Sequence, residues 1–260
     1  MISPSAKATD VYPLLPFNNK SHIRLFIIRH GETSYNKKKI IQGHLNISLN
    51  DQGISQSSQL NKFLVNDEGN FLARENIDAI YCSDLKRCAE TLQYAVEGTD
   101  RLDDVVFSDQ LRERFMGEVQ GLKRDEALKK ALSEGKKSIN EYGESVPQLQ
   151  QRFKNYLMNT IIAENKDKKN IIIFSHGAAI RYLLLKLFDN DLEYMFSKLP
   201  IEQRVEDSLN HSNVHFSNTC VNIVDFDIEK DTFELKLLNG IYHINDNSIK
   251  LDETSNGTIV

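Results

Sequence analysis

The sequence has few of the features that are typical of secreted proteins, membrane proteins or proteins stabilised by a structural metal. It contains no tryptophan and three cysteines among 260 residues. Cys82, Cys88 and Cys220 are odd in number and share no paired spacing, so they indicate neither a disulfide framework nor a zinc site. No run of about 18 apolar residues is present, and residues 1–22 lack the apolar core of a signal peptide. We therefore expect a cytoplasmic protein that makes no membrane contact.

The sequence also has no excess of basic residues. The 32 Lys and Arg residues against 37 Asp and Glu residues give a net charge of −5, which argues against a nucleic-acid partner. A small phosphate-bearing ligand needs only a local positive pocket. The length fits one α/β domain. We place this domain at residues 23–244, between an N-terminal extension of residues 1–22 and a flexible tail of residues 245–260.

Short apolar runs alternate with helical patterns along the chain. This alternation is typical of βαβ units in a mostly parallel sheet that is covered on both faces, so we predict an α/β fold with a three-layer α/β/α sandwich. The predicted strands are residues 25–28, 79–82, 105–107, 171–175, 221–226 and 233–238. Two segments break the pattern. Residues 122–142 are charged with little apolar stripe and predict a lid-like surface excursion, and residues 189–218 predict a polar, irregular connection.

Two of the apolar runs end in a histidine followed by a glycine. One run leads into Arg29-His30-Gly31, and the other leads into Ser175-His176-Gly177. Each run predicts a buried strand, and ligands bind at the carboxyl ends of such strands in open α/β sheets. The glycines would let the backbone approach a ligand closely. We therefore expect both histidines and Arg29 to converge on one pocket.

Five segments of the chain resemble, in the same order, the motifs of the histidine phosphatase superfamily, which is also called phosphoglycerate mutase-like. They cover most of the predicted domain. Within the superfamily, residues 36–43 most resemble the broad-specificity phosphatases and the fructose-2,6-bisphosphatase-like enzymes. The segments are Arg29-His30-Gly31-Glu32-Thr33, Ser83-Asp84-Leu85-Lys86-Arg87, residues 111–121 with Glu113, Gly143-Glu144-Ser145 and Ser175-His176-Gly177.

The resemblance implies a phosphatase with a phosphoglycerate mutase-like fold that hydrolyses small phosphate monoesters, such as sugar phosphates, through a phosphohistidine. His30 would be the nucleophile, and Glu113 would act first as general acid and then as base. Arg29 and Arg87 would hold the non-bridging phosphate oxygens, and His176 would supply a further donor. The chemistry requires no metal or organic cofactor, because fixed cations surround the phosphate. The implied substrate-binding residues are Asn36, Gln42, Gly43 and Gly177.

Three classes of function stay open: a phosphatase, a phosphoglycerate mutase that returns the phosphate to a different oxygen, and an inactive protein that binds a phosphorylated ligand. The span between Gly121 and Gly143 is short, whereas the mutases carry a longer insertion that encloses the intermediate. Gln42-Gly43 also stands where the mutases usually have Thr-Gly-Trp. These differences favour a phosphatase, and the complete set of reactive residues disfavours an inactive binder.

One further pair of histidines has a spacing that metal sites use. His211 and His215 are four residues apart but lack a third ligand or a His-Glu-x-x-His context, which disfavours a metal site. The expected partner is thus a small-molecule phosphate ester, and the sequence defines no oligomeric state.

Overall fold

A six-stranded sheet forms the middle layer of the protein. The structure is a computed structural model, and it describes residues 8–16, 19–65, 71–200 and 216–244. The strands are β1 (His22–Arg29), β2 (Ala79–Ser83), β3 (Val105–Ser108), β4 (Asn170–Ser175), β5 (Val221–Asp227) and β6 (Thr232–Gly240). Their order is β3-β2-β4-β1-β5-β6. The pairs β1/β4, β4/β2 and β2/β3 are parallel, whereas β5 is antiparallel to both β1 and β6. The mostly parallel sheet predicted from the sequence is confirmed.

The helices begin where the sequence provides caps. The Asn50 side chain accepts a hydrogen bond from the Gly53 N–H, and Ser145 forms a capping box with Gln148, as expected of N-cap residues. None of the helices in the described part of the chain has the length and apolarity needed to cross a bilayer. The α-helices are α1 (Ala8–Val11), α2 (Ser34–Lys37), α3 (Asp51–Leu64), α4 (Lys86–Ala95), α5 (Arg124–Ser133), α6 (Val146–Tyr156), α7 (Gly177–Leu187) and α8 (Leu192–Phe196). Single turns of 3₁₀-helix lie at Arg101–Asp104, Asp109–Leu111, Gly117–Val119 and Ile139–Glu141, and a π-helical segment at Leu157–Ile162 continues α6.

Two separate hydrophobic cores cover the two faces of the sheet. Alternate residues of β1 explain this, since Leu25 and Ile27 belong to one core and Phe26 and Ile28 to the other. Helices α6, α7 and α8 pack on the first face, and α1, α3 and α4 pack on the second. The result is the predicted three-layer α/β/α sandwich.

The excursion between residues 122 and 142 contains α5 and a 3₁₀ turn. Its buried residues belong to a small apolar cluster that is separate from the two cores of the sheet. Two alanines provide the buried face of α5, and a helical apolar stripe is hard to recognise when its residues are small. The buried members of the cluster are Met116, Val119, Ala127, Ala131, Ile139 and Tyr142.

The predicted connection at residues 189–218 contains the short helix α8. Residues 201–215, with His211 and His215, and the predicted tail at 245–260 lie outside the described residues. Residues of the predicted N-terminal extension reach the second core, where Tyr12 is fully buried and its hydroxyl donates to the Gly240 carbonyl at 3.3 Å. The domain limits at 23 and 244 stay predictions.

Candidate active site

A cleft of about 250 Å³ opens where β1 and β4 end. The two strands are adjacent, with Arg29 paired to Ser175, so the residues that follow them emerge side by side. The predicted site residues that line the cleft are Arg29, His30, Asn36, Gln42, Gly43, Arg87, Glu113 and Gly177. His176 does not line the cleft but is buried next to these residues, so the structure brings all predicted site residues together.

The His30 ring is fixed in one orientation at the floor of the cleft. Its Nδ1 lies 2.7 Å from the Gly31 carbonyl oxygen, which accepts the Nδ1 proton and leaves Nε2 with a lone pair. Burial, and then the charges of Arg87 and Arg29, hold the pKa of His30 well below its ordinary value. The ring is consequently neutral, which is the form that can act as a nucleophile.

A turn at Asn218 and Thr219, which sequence patterns did not reveal, supports the backbone around His30. The Asn218 side-chain amide donates to the His30 carbonyl at 2.9 Å, and the Thr219 N–H donates to the Arg29 carbonyl at 3.1 Å. Thr219 has a φ of +57°, which is unfavourable for a β-branched residue. Its hydroxyl lies 3.0 Å from Nε2 of the buried His243. A strained residue held by several partners is typical of a functional site.

Arg87 is the second fixed group at the floor, and its side chain is fully buried. Its Nε donates to Nδ1 of His176 at 3.1 Å, and its terminal nitrogens donate to the carbonyls of Leu45 and Gly43 at 2.9 and 2.8 Å. Arg29 is held by a hydrogen bond from Nη1 to the Phe216 carbonyl. These contacts orient both guanidinium groups before any ligand arrives.

His176, which is expected to donate to the ligand, has a protein partner at each of its ring nitrogens. Because its Nδ1 accepts from Arg87, its Nε2 carries the proton and donates to the Ser83 hydroxyl at 2.8 Å. Burial, and then the charge of Arg87, lower the pKa of His176 well below its ordinary value. Its ring centre is 5.2 Å from that of His30. In this arrangement the imidazole contacts Arg87 and Ser83, because β2 lies next to β4 and brings Ser83 within reach.

The Glu113 carboxylate lies at the amino end of α7. It accepts hydrogen bonds from the N–H groups of Ala178 at 3.1 Å and Ala179 at 2.9 Å, and from its neighbour Arg114 at 2.9 Å. The anion that receives the N–H groups of this helix end and faces the positive end of its dipole is thus Glu113 itself.

The other acidic residues of the family-like motifs point to different partners. Glu32 accepts from the Asn50 amide at 2.6 Å, and Glu144 forms an ion pair with Arg152 at 2.8 Å. Among the described residues that line the cleft, Glu113 is the single carboxylate.

Two amide side chains of the predicted set line the cleft wall. The Asn36 Oδ1 accepts from the Thr33 backbone N–H at 3.1 Å and completes the capping box of α2, so its position is fixed by the helix start. The Gln42 Oε1 is buried and has no hydrogen-bond partner within the described part of the chain. A buried acceptor without a partner is costly unless a ligand donates to it.

The two glycines that follow the histidines pack closely against protein groups. A Cβ at Gly31 would lie 2.7 Å from the Gly53 carbonyl oxygen, so the chain after His30 can touch α3 only without a side chain. A Cβ at Gly177 would lie 3.1 Å from Nε of Arg29, which is a tight contact at the lining of the cleft. The absence of a side chain thus allows α3 to approach His30 and Arg29 to approach the start of α7.

The lining of the cleft also contains cations that were not among the predicted site residues. Lys39, Arg124 and Arg181 line the cleft together with Tyr35 and Tyr182. Arg181 follows Gly177 by four residues on α7, a helical spacing that could have placed it on the face of the site. Arg124 had no such signal, because its position depends on how the excursion folds back over the cleft.

Comparison with known proteins is consistent with this geometry. Residues 25–204 match the model of the histidine phosphatase superfamily, branch 1. The chain is 32% identical to a broad-specificity phosphatase of Saccharomyces cerevisiae over 86% of its own length and 88% of that protein. It is 28% identical to a 2,3-bisphosphoglycerate-dependent phosphoglycerate mutase of Protochlamydia amoebophila over 64% of its own length and 85% of that protein.

The fold has known relatives among solved structures. A mutant phosphoserine phosphatase of Entamoeba histolytica in complex with phosphoserine superposes with a TM-score of 0.60 at 24% identity, over 85% of this chain and 99% of that chain. The order of the motifs, the convergence of their residues on one cleft and the extent of the match agree, and the chain belongs to the histidine phosphatase superfamily.

Proposed function

We propose that the cleft hydrolyses small phosphate monoesters through a phosphohistidine formed on His30. The observation that carries this proposal is the neutral, buried imidazole whose Nδ1–H is bonded to the Gly31 carbonyl, beside two oriented arginines. Membership of the family and the similarity to a phosphatase over 86% of the chain make the protein a hydrolase of the histidine phosphatase superfamily. The expected ligand is a small phosphate ester.

In the first step, the His30 Nε2 lone pair attacks phosphorus, a P–N bond forms, and the bond from phosphorus to the ester oxygen breaks. Arg29 and Arg87 stabilise the charge on the non-bridging oxygens as it spreads in the transition state. Glu113 in its acid form gives its proton to the departing oxygen. Both cations are side chains of this protein. Hydrogen bonds to backbone carbonyls orient the two guanidinium groups, and His176 also accepts from Arg87.

In the second step, water attacks the phosphohistidine. The Glu113 carboxylate takes a proton from this water, the P–N bond breaks, and inorganic phosphate and neutral His30 are released. Glu113 thereby regains the proton that it lost in the first step. The carboxylate lies on the α7 amino end, where the N–H groups of Ala178 and Ala179 fix it next to the cleft.

The alternative of a phosphoglycerate mutase uses the same residues and differs in the fate of the phosphohistidine. The curated phosphatase matches more of this chain at higher identity than the mutase does, which favours transfer to water. Phosphate release from phosphoglycerates without added 2,3-bisphosphoglycerate separates the two. Net isomerisation without phosphate release would favour the mutase.

Trapping of the intermediate tests the nucleophile. Brief incubation with a ³²P-labelled ester followed by an alkaline quench should leave acid-labile label on the wild type and none on His30→Ala. His22→Ala is the matched control, because His22 begins the same strand at its opposite end and should leave the label unchanged. Label on His30→Ala equal to that on the wild type would remove the covalent role from this residue.

A further inference from the structure

The segment that carries Glu113 depends on side-chain contacts for its position. Residues 112–116 form no helix or strand and connect the 3₁₀ turns Asp109–Leu111 and Gly117–Val119. The N–H groups at the start of α7 fix the carboxylate at its end, but the backbone that carries it is not part of a helical or sheet hydrogen-bond pattern. Side chains from other elements must therefore hold this backbone.

The Arg152 guanidinium holds this backbone from the side of α6. Its Nη1 donates to the Gln110 carbonyl at 2.7 Å, and its Nη2 donates to the carbonyls of Arg112 and Glu113 at 3.2 and 3.3 Å. Its Nε and Nη2 also donate to the two carboxylate oxygens of Glu144 at 2.8 and 2.9 Å, which is the bidentate geometry that arginine favours. One side chain thus binds three carbonyls within four residues, and one of these belongs to Glu113.

The pair of Arg152 and Glu144 is itself well anchored. The next residue on α6, Phe153, is fully buried in the first core, so the helix that carries Arg152 is fixed to the sheet. Burial raises the pKa of Glu144, but the hydrogen bond and the charge of Arg152 outweigh burial and hold this pKa below its ordinary value. Glu144 also holds the other side of the segment, because its Oε2 accepts from the Phe115 N–H at 3.3 Å and its N–H donates to the Phe115 carbonyl at 2.8 Å.

Other contacts would remain if Arg152 were lost. Nε2 of His44 donates to the Glu113 carbonyl at 2.7 Å, and the N–H groups of Ala178 and Ala179 still bind the carboxylate. Loss of Arg152 should therefore displace the acid rather than release it. A displacement of about 1 Å can cost about 10²-fold in rate, because a proton is transferred only within hydrogen-bond distance.

We propose that Arg152, held by Glu144, is a positioning residue for the general acid and sets the distance between the Glu113 carboxylate and the departing ester oxygen. The inference rests on the proposed phosphatase function and on the role of Glu113 in it. Among the described residues, those that line the cleft do not include Arg152, so it acts on the reaction through the segment that it holds. Arg29 and Arg87 are oriented by other contacts, so charge stabilisation at the phosphate should not depend on Arg152.

Three rates separate proton transfer from charge stabilisation. The first turnover of p-nitrophenyl phosphate reports attack by His30 without acid catalysis, because a phenolate leaves without a proton. The first turnover of glycerol 1-phosphate requires the acid, because an alkoxide leaves poorly. Decay of the ³²P-labelled phosphohistidine after a chase with unlabelled substrate reports the step in which Glu113 acts as base.

Arg152→Gln should slow glycerol 1-phosphate cleavage and label decay about 10- to 100-fold each, while p-nitrophenyl phosphate stays within about twofold of the wild type. Together with Glu113→Gln it should cause little further loss, since the group that it positions is gone. Lys154→Gln is the matched control and should leave all three rates unchanged, because Lys154 is a basic residue of the same helix and residues two positions apart point to different sides.

A second variant keeps the shape of the pair. Glu144→Gln removes the charge that orients Arg152, so it should give the same pattern of rates to a smaller extent. In both variants, a normal first turnover of p-nitrophenyl phosphate shows that the site is folded.

Equal slowing of both substrates in the two variants, or unchanged rates in both, would overturn the proposal. An additive loss in the double variant with Glu113→Gln would do the same. Each of these results refutes this inference alone when Glu113→Gln keeps its own selective effect on glycerol 1-phosphate. Absence of the phosphohistidine label on the wild type would instead refute the proposed function.

Discussion

Acid should destabilise this protein through histidines that fold in the neutral state. His243 is 1% exposed, and burial lowers its pKa to about 3. In the unfolded chain the same ring has a pKa of about 6.5. Below that value the unfolded state binds a proton that the folded state does not, so stability is lost as the pH falls from about 6.5 towards 3. Between about pH 7 and pH 5 this ring alone should remove about 2 kcal/mol of unfolding free energy.

The variant His243→Gln isolates this contribution. Glutamine keeps a donor and an acceptor for the Tyr12 hydroxyl and the Thr219 hydroxyl, which lie 3.1 and 3.0 Å from the two ring nitrogens, but it cannot take up a proton. Urea unfolding followed by circular dichroism at pH 7 and pH 5 gives the loss of unfolding free energy for each protein. The loss should be smaller in the variant by about 2 kcal/mol.

A control separates titration from packing. Tyr12→Phe removes a hydrogen-bond partner of His243 but keeps the ring buried, so its absolute stability should fall while its pH dependence stays that of the wild type. His30 and His176 add to the acid sensitivity in the same direction, since burial also lowers the pKa of each. They are unchanged in both variants and cancel in the comparison. Equal loss of stability in wild type and His243→Gln would refute the reasoning.

Three other substitutions follow from the site and the core. Glu113→Gln should slow single-turnover cleavage of alkyl phosphates about 10² to 10⁴-fold. Cleavage of aryl phosphates should slow far less, because a phenolate leaves without a proton. Equal slowing of both substrate types would reject the role of Glu113 as the general acid. Arg24→Leu should cost about 3 kcal/mol of unfolding free energy in urea titrations, because the buried Asp225 loses its partner at 2.7 Å and keeps the longer contact with Lys236 at 3.9 Å. The double variant with Asp225→Leu should recover most of the loss. Gly31→Ala should lower the unfolding free energy by about 1–3 kcal/mol in the same assay, since the added Cβ would overlap the Gly53 carbonyl. An unchanged unfolding free energy would show that α3 moves away freely.

The sequence by itself determined the elements and the parts of the site that depend on near neighbours. The apolar runs before His30 and His176 predicted the strands correctly. Two helices begin directly after the N-cap residues Asn50 and Ser145. These signals are local, because strand and helix patterns repeat every few residues and a cap bonds within one turn. The sequence also indicated that both histidines emerge at one sheet edge, since parallel strands share their direction.

The tertiary structure alone decided how the side chains of the site pair with one another. His176 bonds to Ser83 and Arg87 although both are some 90 positions away in the chain. Glu113 accepts from the N–H groups at the amino end of α7, which lies some 65 positions further along the chain. The placement of Arg124 over the cleft likewise depends on the small core of the excursion. Hydrogen-bonding groups such as imidazole and carboxylate have several acceptable partners, and which one they meet is set by the packing of elements that are distant in sequence.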